Sequence, residues 1–162
     1  MDRVFYTFKS EPREQVYRDL IDYAVLQNKC KYAFLIVRNE KSLSVAGEQA
    51  LQLLAPYLLE VQEVSEWPGT KLYRHTATLY KYNVCPAFSE LLKNLAQGLY
   101  EWEHPDLPED LGFMLTEKLP WLFTIAHERD AVLCLTAAEV DDLMADDALA
   151  SILTRDKNYD EG

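Results

Sequence analysis

The sequence predicts one α+β domain, built on a mostly antiparallel sheet with helices packed mainly on one face. Two observations lead to this fold class. Strand-like and amphipathic helical segments interleave along the chain, but without the strict strand–helix–strand rhythm of a parallel sheet. The chain also has 162 residues, the length of a single domain, and contains no internal repeat. We therefore assign residues 1–153 to one domain and expect residues 154–162 to form a frayed tail.

The first elements are a strand and a helix. Residues 4–8 are rich in aromatic and β-branched side chains, which favour a strand. Ser10, Glu11 and Pro12 suit the start of a helix, because they supply a cap, a negative charge and a proline for the first turn. Apolar spacing extends this helix to Gln27.

The next segments are a strand, a helix and two further strands. Residues 32–37 form a continuous apolar run, which predicts a strand covered on both faces. A helix is expected over residues 44–54, ending before Pro56 because the residue that precedes a proline avoids the α region. The strands at residues 58–65 and 75–84 are neighbours along the chain, so we expect them to pair antiparallel.

The second half of the chain begins with the clearest helical pattern. Apolar residues at helical spacing predict a helix over residues 86–102, and two prolines predict an irregular loop over residues 103–110. Thr136 and Glu139 fit a capping box that opens a last helix. Three short strands are expected between the loop and this helix, at residues 111–115, 120–126 and 132–135.

Charge is distributed unevenly along the chain. Residues 1–81 carry eleven Lys/Arg and ten Asp/Glu, whereas residues 82–162 carry five Lys/Arg and seventeen Asp/Glu. The acidic half argues against binding nucleic acid, because phosphates are bound by lysine and arginine. It favours a basic protein partner, whose approach it would steer. Solubility alone is the other explanation for such a charge.

Other features limit the class of protein further. Cys30, Cys85 and Cys134 are widely spaced and include no CxxC pair, so they indicate neither a disulfide framework nor a zinc site. No signal peptide and no apolar stretch long enough to span a bilayer are found, so we expect a cytoplasmic protein without a membrane partner. Phosphate-binding loops and the common catalytic motifs are missing, and the sequence predicts no cofactor.

The most suggestive polar cluster contains His127 and Glu128, directly after a predicted strand, where loops often carry function. His127 could act as a general base with a carboxylate to orient it. A metal site could instead combine His127 with His104 and one of the acids Asp106, Glu109 or Asp110. The third interpretation is a structural turn in which Glu128 accepts backbone N–H bonds.

Two acidic runs are the candidate surface for a partner. Residues 101–110 contain five acids, and residues 139–147 contain five more, with no lysine or arginine in either run. Either the runs are only solvated or they contact a basic partner. For a partner surface, the expected contact residues are Trp102, Asp106, Glu109, Asp110, Glu139, Asp141 and Asp142.

Four segments carry a resemblance to a known family: residues 65–70 (SEWPGT), 99–102 (LYEW), 107–111 (LPEDL) and 121–128 (WLFTIAHE). In order and spacing they resemble an uncharacterised bacterial family whose members are sometimes labelled as similar to stage III sporulation protein AH. That label implies a membrane-anchored protein of the sporulation channel. This sequence departs from it, because it has no transmembrane helix. The resemblance therefore implies a bacterial source and carries over no activity.

Three functions remain open. The leading hypothesis is a soluble, non-enzymatic bacterial protein that binds another protein through its acidic half, for example an immunity protein that masks a basic toxin domain. The alternative is a hydrolase or metal-dependent enzyme that uses His104 and His127 with nearby carboxylates. The third is a homo-oligomeric structural component.

Overall fold

The computed structural model describes residues 2–27 and 30–160 and confirms the α+β class. Its strands alternate with short helices along the chain. The strands are β1 (Val4–Phe8), β2 (Tyr32–Arg38), β3 (Leu58–Val64), β4 (Glu66–Trp67), β5 (Thr70–Lys71), β6 (Ala77–Tyr82), β7 (Glu109–Met114), β8 (Pro120–Ile125), β9 (Asp130–Leu135) and β10 (Leu153–Arg155). The helices are α1 (Gln15–Asp22), α2 (Val45–Leu54), α3 (Pro86–Leu95), α4 (Ala137–Met144), α5 (Asp147–Ala150) and α6 (Lys157–Asp160).

Eight of these strands form one sheet in the order β10-β1-β9-β8-β7-β2-β6-β3. Every neighbouring pair runs antiparallel, and the expected antiparallel pairing of β3 with β6 is confirmed. The remaining strands, β4 and β5, form a small separate hairpin. The sheet therefore has β2 and β7 near its middle and leaves β3 and β10 at its edges.

The two faces of the sheet are covered differently. Alternate residues of a strand point to opposite faces. Leu35 of β2 accordingly packs in the large core that includes Leu20 of α1 and Leu92 of α3. Its neighbour Phe34 belongs to a smaller cluster with Trp67 of the β4–β5 hairpin. Helices thus cover one face, and the hairpin covers part of the other.

The first helix begins later than the sequence predicts. Residues 10–12 do not open it, and Gln15 is its first residue after Glu14, whose φ is 54°. The backbone before it pairs with another segment instead, since Arg13 forms an isolated bridge with Gly98. After Asp22 the helix continues as a π-helix to Gln27.

The predicted helix over residues 86–102 is wrong in its second part. The α-helix ends at Leu95, and the bridge to Arg13 holds Gly98 in an extended conformation. Residues 99–101 then form a 3₁₀ turn. Leu99 is nevertheless buried, which explains how an apolar pattern of helical spacing continues beyond the helix.

The C-terminal elements agree in part with expectation. The capping box of Thr136 and Glu139 is present at the start of α4. The predicted last helix is divided into α4 and α5, and Asp146 caps the second piece. The predicted tail from Thr154 is corrected at its start, because Thr154 and Arg155 pair with β1 as part of β10. Residues 161–162 of that predicted tail lie outside the described residues.

Candidate functional site

A cavity of about 550 Å³ is lined by α2, the last residue of α3 and residues 101–107. We call it the acidic cavity, because three of its five polar lining side chains are carboxylates and no lysine or arginine is among the described lining residues. Its apolar wall consists of Ala46, Ala50, Leu53, Leu95 and Leu107. Its polar side chains are Gln49, Glu101, Glu103, His104 and Asp106.

Two glycines allow the backbone of this site to approach its neighbours closely. A Cβ at Gly98 would lie 2.5 Å from the Glu11 Oε2 atom. A Cβ at Gly47, on α2, would lie 2.7 Å from the carbonyl oxygen of Pro105. At Gly47 the close atom belongs to the backbone, so a residue without a Cβ is needed there, whereas the Glu11 carboxylate near Gly98 is the end of a flexible side chain that can move. Gly47 therefore lets the backbone of Pro105 lie directly against α2.

The start of α2 is tied directly to the acidic residues of the cavity. The backbone N–H of Ser44 donates to the Pro105 carbonyl at 2.9 Å. Its hydroxyl donates to Asp106 Oδ1 at 2.8 Å and accepts the N–H of Gly47 at 3.3 Å. The same serine therefore caps the helix and fixes a carboxylate at the rim of the cavity.

A buried ion-pair chain lies behind the cavity. His104 Nδ1 is 2.8 Å from Glu109 Oε1, and Arg38 Nε donates to Glu109 Oε2 at 2.8 Å. The side chains of His104, Glu109 and Arg38 are 6%, 3% and 13% exposed, so this chain is largely removed from water. Such an arrangement holds the imidazole ring in one orientation.

The hydrogen bonding of His104 determines what its other ring nitrogen can do. The ionised Glu109 carboxylate only accepts hydrogen bonds, so Nδ1 carries the proton that is donated to it. In the neutral imidazole, Nε2 is then an acceptor. This atom is buried and has no hydrogen-bond partner among the described residues. Since His104 lines the cavity and its Nδ1 is occupied, Nε2 is the ring nitrogen left without a partner beside the cavity.

Asp110, the residue after Glu109, holds other elements of the fold together. Its carboxylate accepts the Trp67 indole N–H at 3.0 Å and the backbone N–H of Ala126 at 2.9 Å. Burial nevertheless raises the pKa of Asp110 to about 6, because the charged form loses its hydration. The residue also has a φ of 60°. These contacts fasten the β4–β5 hairpin and the end of β8 to the start of β7.

Four of the residues predicted to contact a partner lie inside the protein, which contradicts that prediction for them. Glu109 and Asp110 are enclosed by the contacts just described. Trp102 is fully buried and donates its indole N–H to Tyr17 at 3.0 Å. Glu139 is buried too, since it completes the capping box and accepts hydrogen bonds from Trp121 and Arg3. None of these four side chains is available to a protein partner in this fold.

The other three predicted contact residues are exposed. Asp106 lies at the acidic cavity, whereas Asp141 and Asp142 lie on α4. Asp142 accepts the Tyr23 hydroxyl at 3.0 Å and lines a second, smaller cavity of about 240 Å³ with Asp146. The exposed acids thus occur in two separate places in the fold.

His127 and Glu128 do not join His104 in one site. They lie in a 3₁₀ turn after β8, with His127 Nε2 3.9 Å from Glu128 Oε1, and line a different cavity, of about 310 Å³. No group of three or more His, Cys, Asp or Glu in the described part of the chain could hold a metal ion. The predicted joint site of His104 and His127 is therefore not formed.

Sequence reasoning missed the composition of the cavity. Glu101 and Glu103 were visible as members of an acidic run, but nothing local indicated that α2 supplies the apolar wall beside them. The signal that could have directed attention here was a histidine within a run of acids that lacks any lysine or arginine.

Comparisons with known proteins do not extend this description. In the residues that the structure describes, no helix has both the length and the apolar character needed to cross a membrane. No family model, no curated protein and no solved structure matches the chain.

Proposed function

We propose that this protein is a binding module that accepts a lysine or arginine side chain of a basic partner protein in the acidic cavity. The observation that carries the proposal is the chemistry of the lining. Glu103 and Asp106 are acceptors, and Nε2 of His104 accepts when the imidazole is neutral, whereas Glu101 is already paired with Arg13 at 3.0 Å. A ligand that satisfies such a set must supply several hydrogen-bond donors and a positive charge.

The apolar wall favours a lysine or arginine side chain over a free cation as the ligand of the acidic cavity. Lysine and arginine carry an aliphatic stem below the charged head. Leu53, Leu95 and Leu107 offer apolar surface for such a stem. The cavity volume of about 550 Å³ also lies within the usual range of ligand pockets, about 300–1,000 Å³.

The charge of the whole chain supports a basic partner as well. The formal net charge is −11, so the field of the protein attracts cationic surfaces over a distance. Asp141 and Asp142 are exposed and lie outside the cavity, where they would contribute to this steering. An immunity-type protein that masks a basic domain is one form of the proposal.

The proposed setting is the bacterial cytoplasm. Cys30, Cys85 and Cys134 are all free thiols, which is usual in a reducing compartment. The bacterial source rests on the family resemblance of residues 65–70, 99–102, 107–111 and 121–128.

The test is an NMR titration with N-acetyl-lysine-N-methylamide. The norleucine analogue, which has the same carbon chain without the ammonium group, is the control compound. We expect chemical-shift changes at the acidic cavity with a dissociation constant on the order of 1 mM, as suits a single side chain. Glu103→Gln should weaken binding several-fold, because it removes one of the charges that face the ammonium group.

Glu128→Gln is the matched control variant, because it makes the same change at an exposed acid outside the cavity. It should leave binding of the lysine compound unchanged. Equal shifts with the norleucine analogue, or equal weakening by the two variants, would contradict the proposal.

His104 also favours a second candidate, a hydrolase. A histidine held through Nδ1 by a carboxylate, with an unpartnered Nε2 next to a cavity, is the arrangement of a general base. No serine, threonine or cysteine is among the described lining residues, so the base would activate water. A screen of ester, amide and phosphoester substrates at neutral pH, repeated with His104→Gln, tests it. Turnover that disappears in this variant while the lysine compound still binds would favour the enzyme.

A further inference from the structure

The two edges of the large sheet differ in length. β10 closes one edge with three residues, and β3 forms the other with seven. An edge strand presents unpaired backbone N–H and C=O groups, and proteins usually limit this exposure with short strands, lysines or prolines. The β10 edge is short. The β3 edge is long and contains neither a lysine nor a proline.

The β3 edge is also unusually apolar for an exposed strand. Leu59 and Val61 are 60% and 49% exposed, and Leu58 is 37% exposed. The edge thus has both exposed apolar side chains and unpaired backbone groups. Another strand that pairs with it can bury both at once.

We propose that β3 pairs with β3 of a second copy of this chain, antiparallel across a two-fold axis at Val61. The pattern LLEVQEV favours a second copy because it is self-complementary in this register. This register places Val61 opposite itself and Glu60 opposite Gln62, so no two carboxylates oppose each other in residues 60–62.

Other registers fit less well. Moving the axis by one residue to Gln62 places Val61 opposite Glu63 and Val64 opposite Glu60. Both are apolar side chains set against a charge, and the axis at Val61 creates no such pair within residues 60–62. Placing the axis at Glu60 or Glu63 sets like charges directly opposite, which is destabilising. A register shift between Leu58 and Glu60 of β3 limits regular pairing to the stretch from Glu60 onward, which still includes Val61 and Gln62. This dimer does not depend on the acidic cavity.

The test measures mass in solution by sedimentation equilibrium for the wild type and two variants. The wild type should be a dimer. Val61→Lys places two ammonium groups opposite each other and should weaken the dimer at least tenfold. Gln62→Lys adds the same charge at the next position of the strand, but opposite Glu60, and should leave the dimer intact or strengthen it.

A disulfide provides an independent check of the register. In the Cys85→Ser background, Val61→Cys should form an intermolecular disulfide on mild oxidation, since opposed Cα atoms of an antiparallel pair lie about 4.5–5.5 Å apart. The background protein alone should not. A monomeric wild type at all concentrations would overturn the proposal, and so would equal dissociation of both lysine variants that keep the wild-type circular dichroism.

Discussion

The two acidic runs of this protein each contain five acids, but the fold buries different numbers of them. In the run at residues 101–110, Glu109 and Asp110 are buried, and the other three acids line the acidic cavity. In the run at residues 139–147, only Glu139 is buried, and it serves a helix cap. The difference follows from the next element. The first run leads into β7, near the middle of the sheet, whereas the second lies on a helix at the periphery.

The comparison shows that a run of acids does not by itself define a surface. Glu109 begins a strand that lies beside β2, where it meets Arg38. Asp141 and Asp142 lie on the outer side of α4 and keep contact with water. The buried acids Glu109, Asp110 and Glu139 are therefore expected to affect stability, and the exposed acids Asp141 and Asp142 are not.

The largest effect is expected from Glu109→Ala. Removing this carboxylate leaves the Arg38 guanidinium and the His104 ring without their buried partner. Loss of one member of a buried ion pair costs about 3–5 kcal/mol of unfolding free energy. Urea unfolding followed by circular dichroism measures it. A loss of less than about 1 kcal/mol would show that the site is more hydrated than its burial indicates.

The next largest effect is a pH dependence of the unfolding free energy that Asp110 causes. Its folded-state pKa is raised from 3.8 to about 6, so the folded state binds this proton more tightly than the unfolded state does. The contribution of Asp110 to the unfolding free energy is therefore full below pH 4 and falls as the pH rises to about 6. A shift of this size corresponds to roughly 3 kcal/mol.

Asp110→Asn isolates that contribution, because asparagine does not titrate and tolerates the positive φ of this position. The unfolding free energy of the wild type minus that of the variant should fall between pH 4 and pH 6 and stay constant above it. A difference that does not change over this interval would mean that Asp110 titrates as a solvated carboxyl.

Local features of the fold were predictable from sequence, and features that depend on distant partners were not. The cap of α4 was predicted because Thr136 and Glu139 are three positions apart. The burial of Glu109 depends on Arg38, which is 71 positions away. A charged side chain gives no local sign that such a partner exists.

The end of α3 illustrates the same limit. Apolar spacing follows burial, and burial continues at Leu99 and Trp102 although the helix ends at Leu95. What ends the helix is the bridge between Gly98 and Arg13, a contact between segments far apart in the chain. The sequence therefore indicated which residues of this region enter the core, but not the path that the backbone takes.

A smaller effect is expected from Thr136→Ala, which alters the cap of α4, the helix that carries part of the second acidic run. The substitution removes the side-chain oxygen that accepts the N–H of Glu139 at the start of α4. Loss of such a cap costs about 1 kcal/mol. Urea unfolding measures it, and Thr154→Ala, a threonine in an edge strand with no part in a cap, is the control. An unchanged unfolding midpoint for Thr136→Ala would show that Glu139 and Arg3 hold this helix end without the cap.

The smallest effect is expected from the pair Asp141→Asn and Asp142→Asn. Both side chains are exposed, so the unfolding free energy should change by no more than about 0.5 kcal/mol. The hydroxyl of Tyr23 loses the charge of its acceptor, but burial, the main cause of its pKa of about 12, remains. A loss above 1 kcal/mol in urea unfolding would show that the second run is structural as well. The two runs would then differ only in how much their acids contribute to the unfolding free energy. The exposed acids of α4 would be part of the folded structure rather than a surface that attracts a partner.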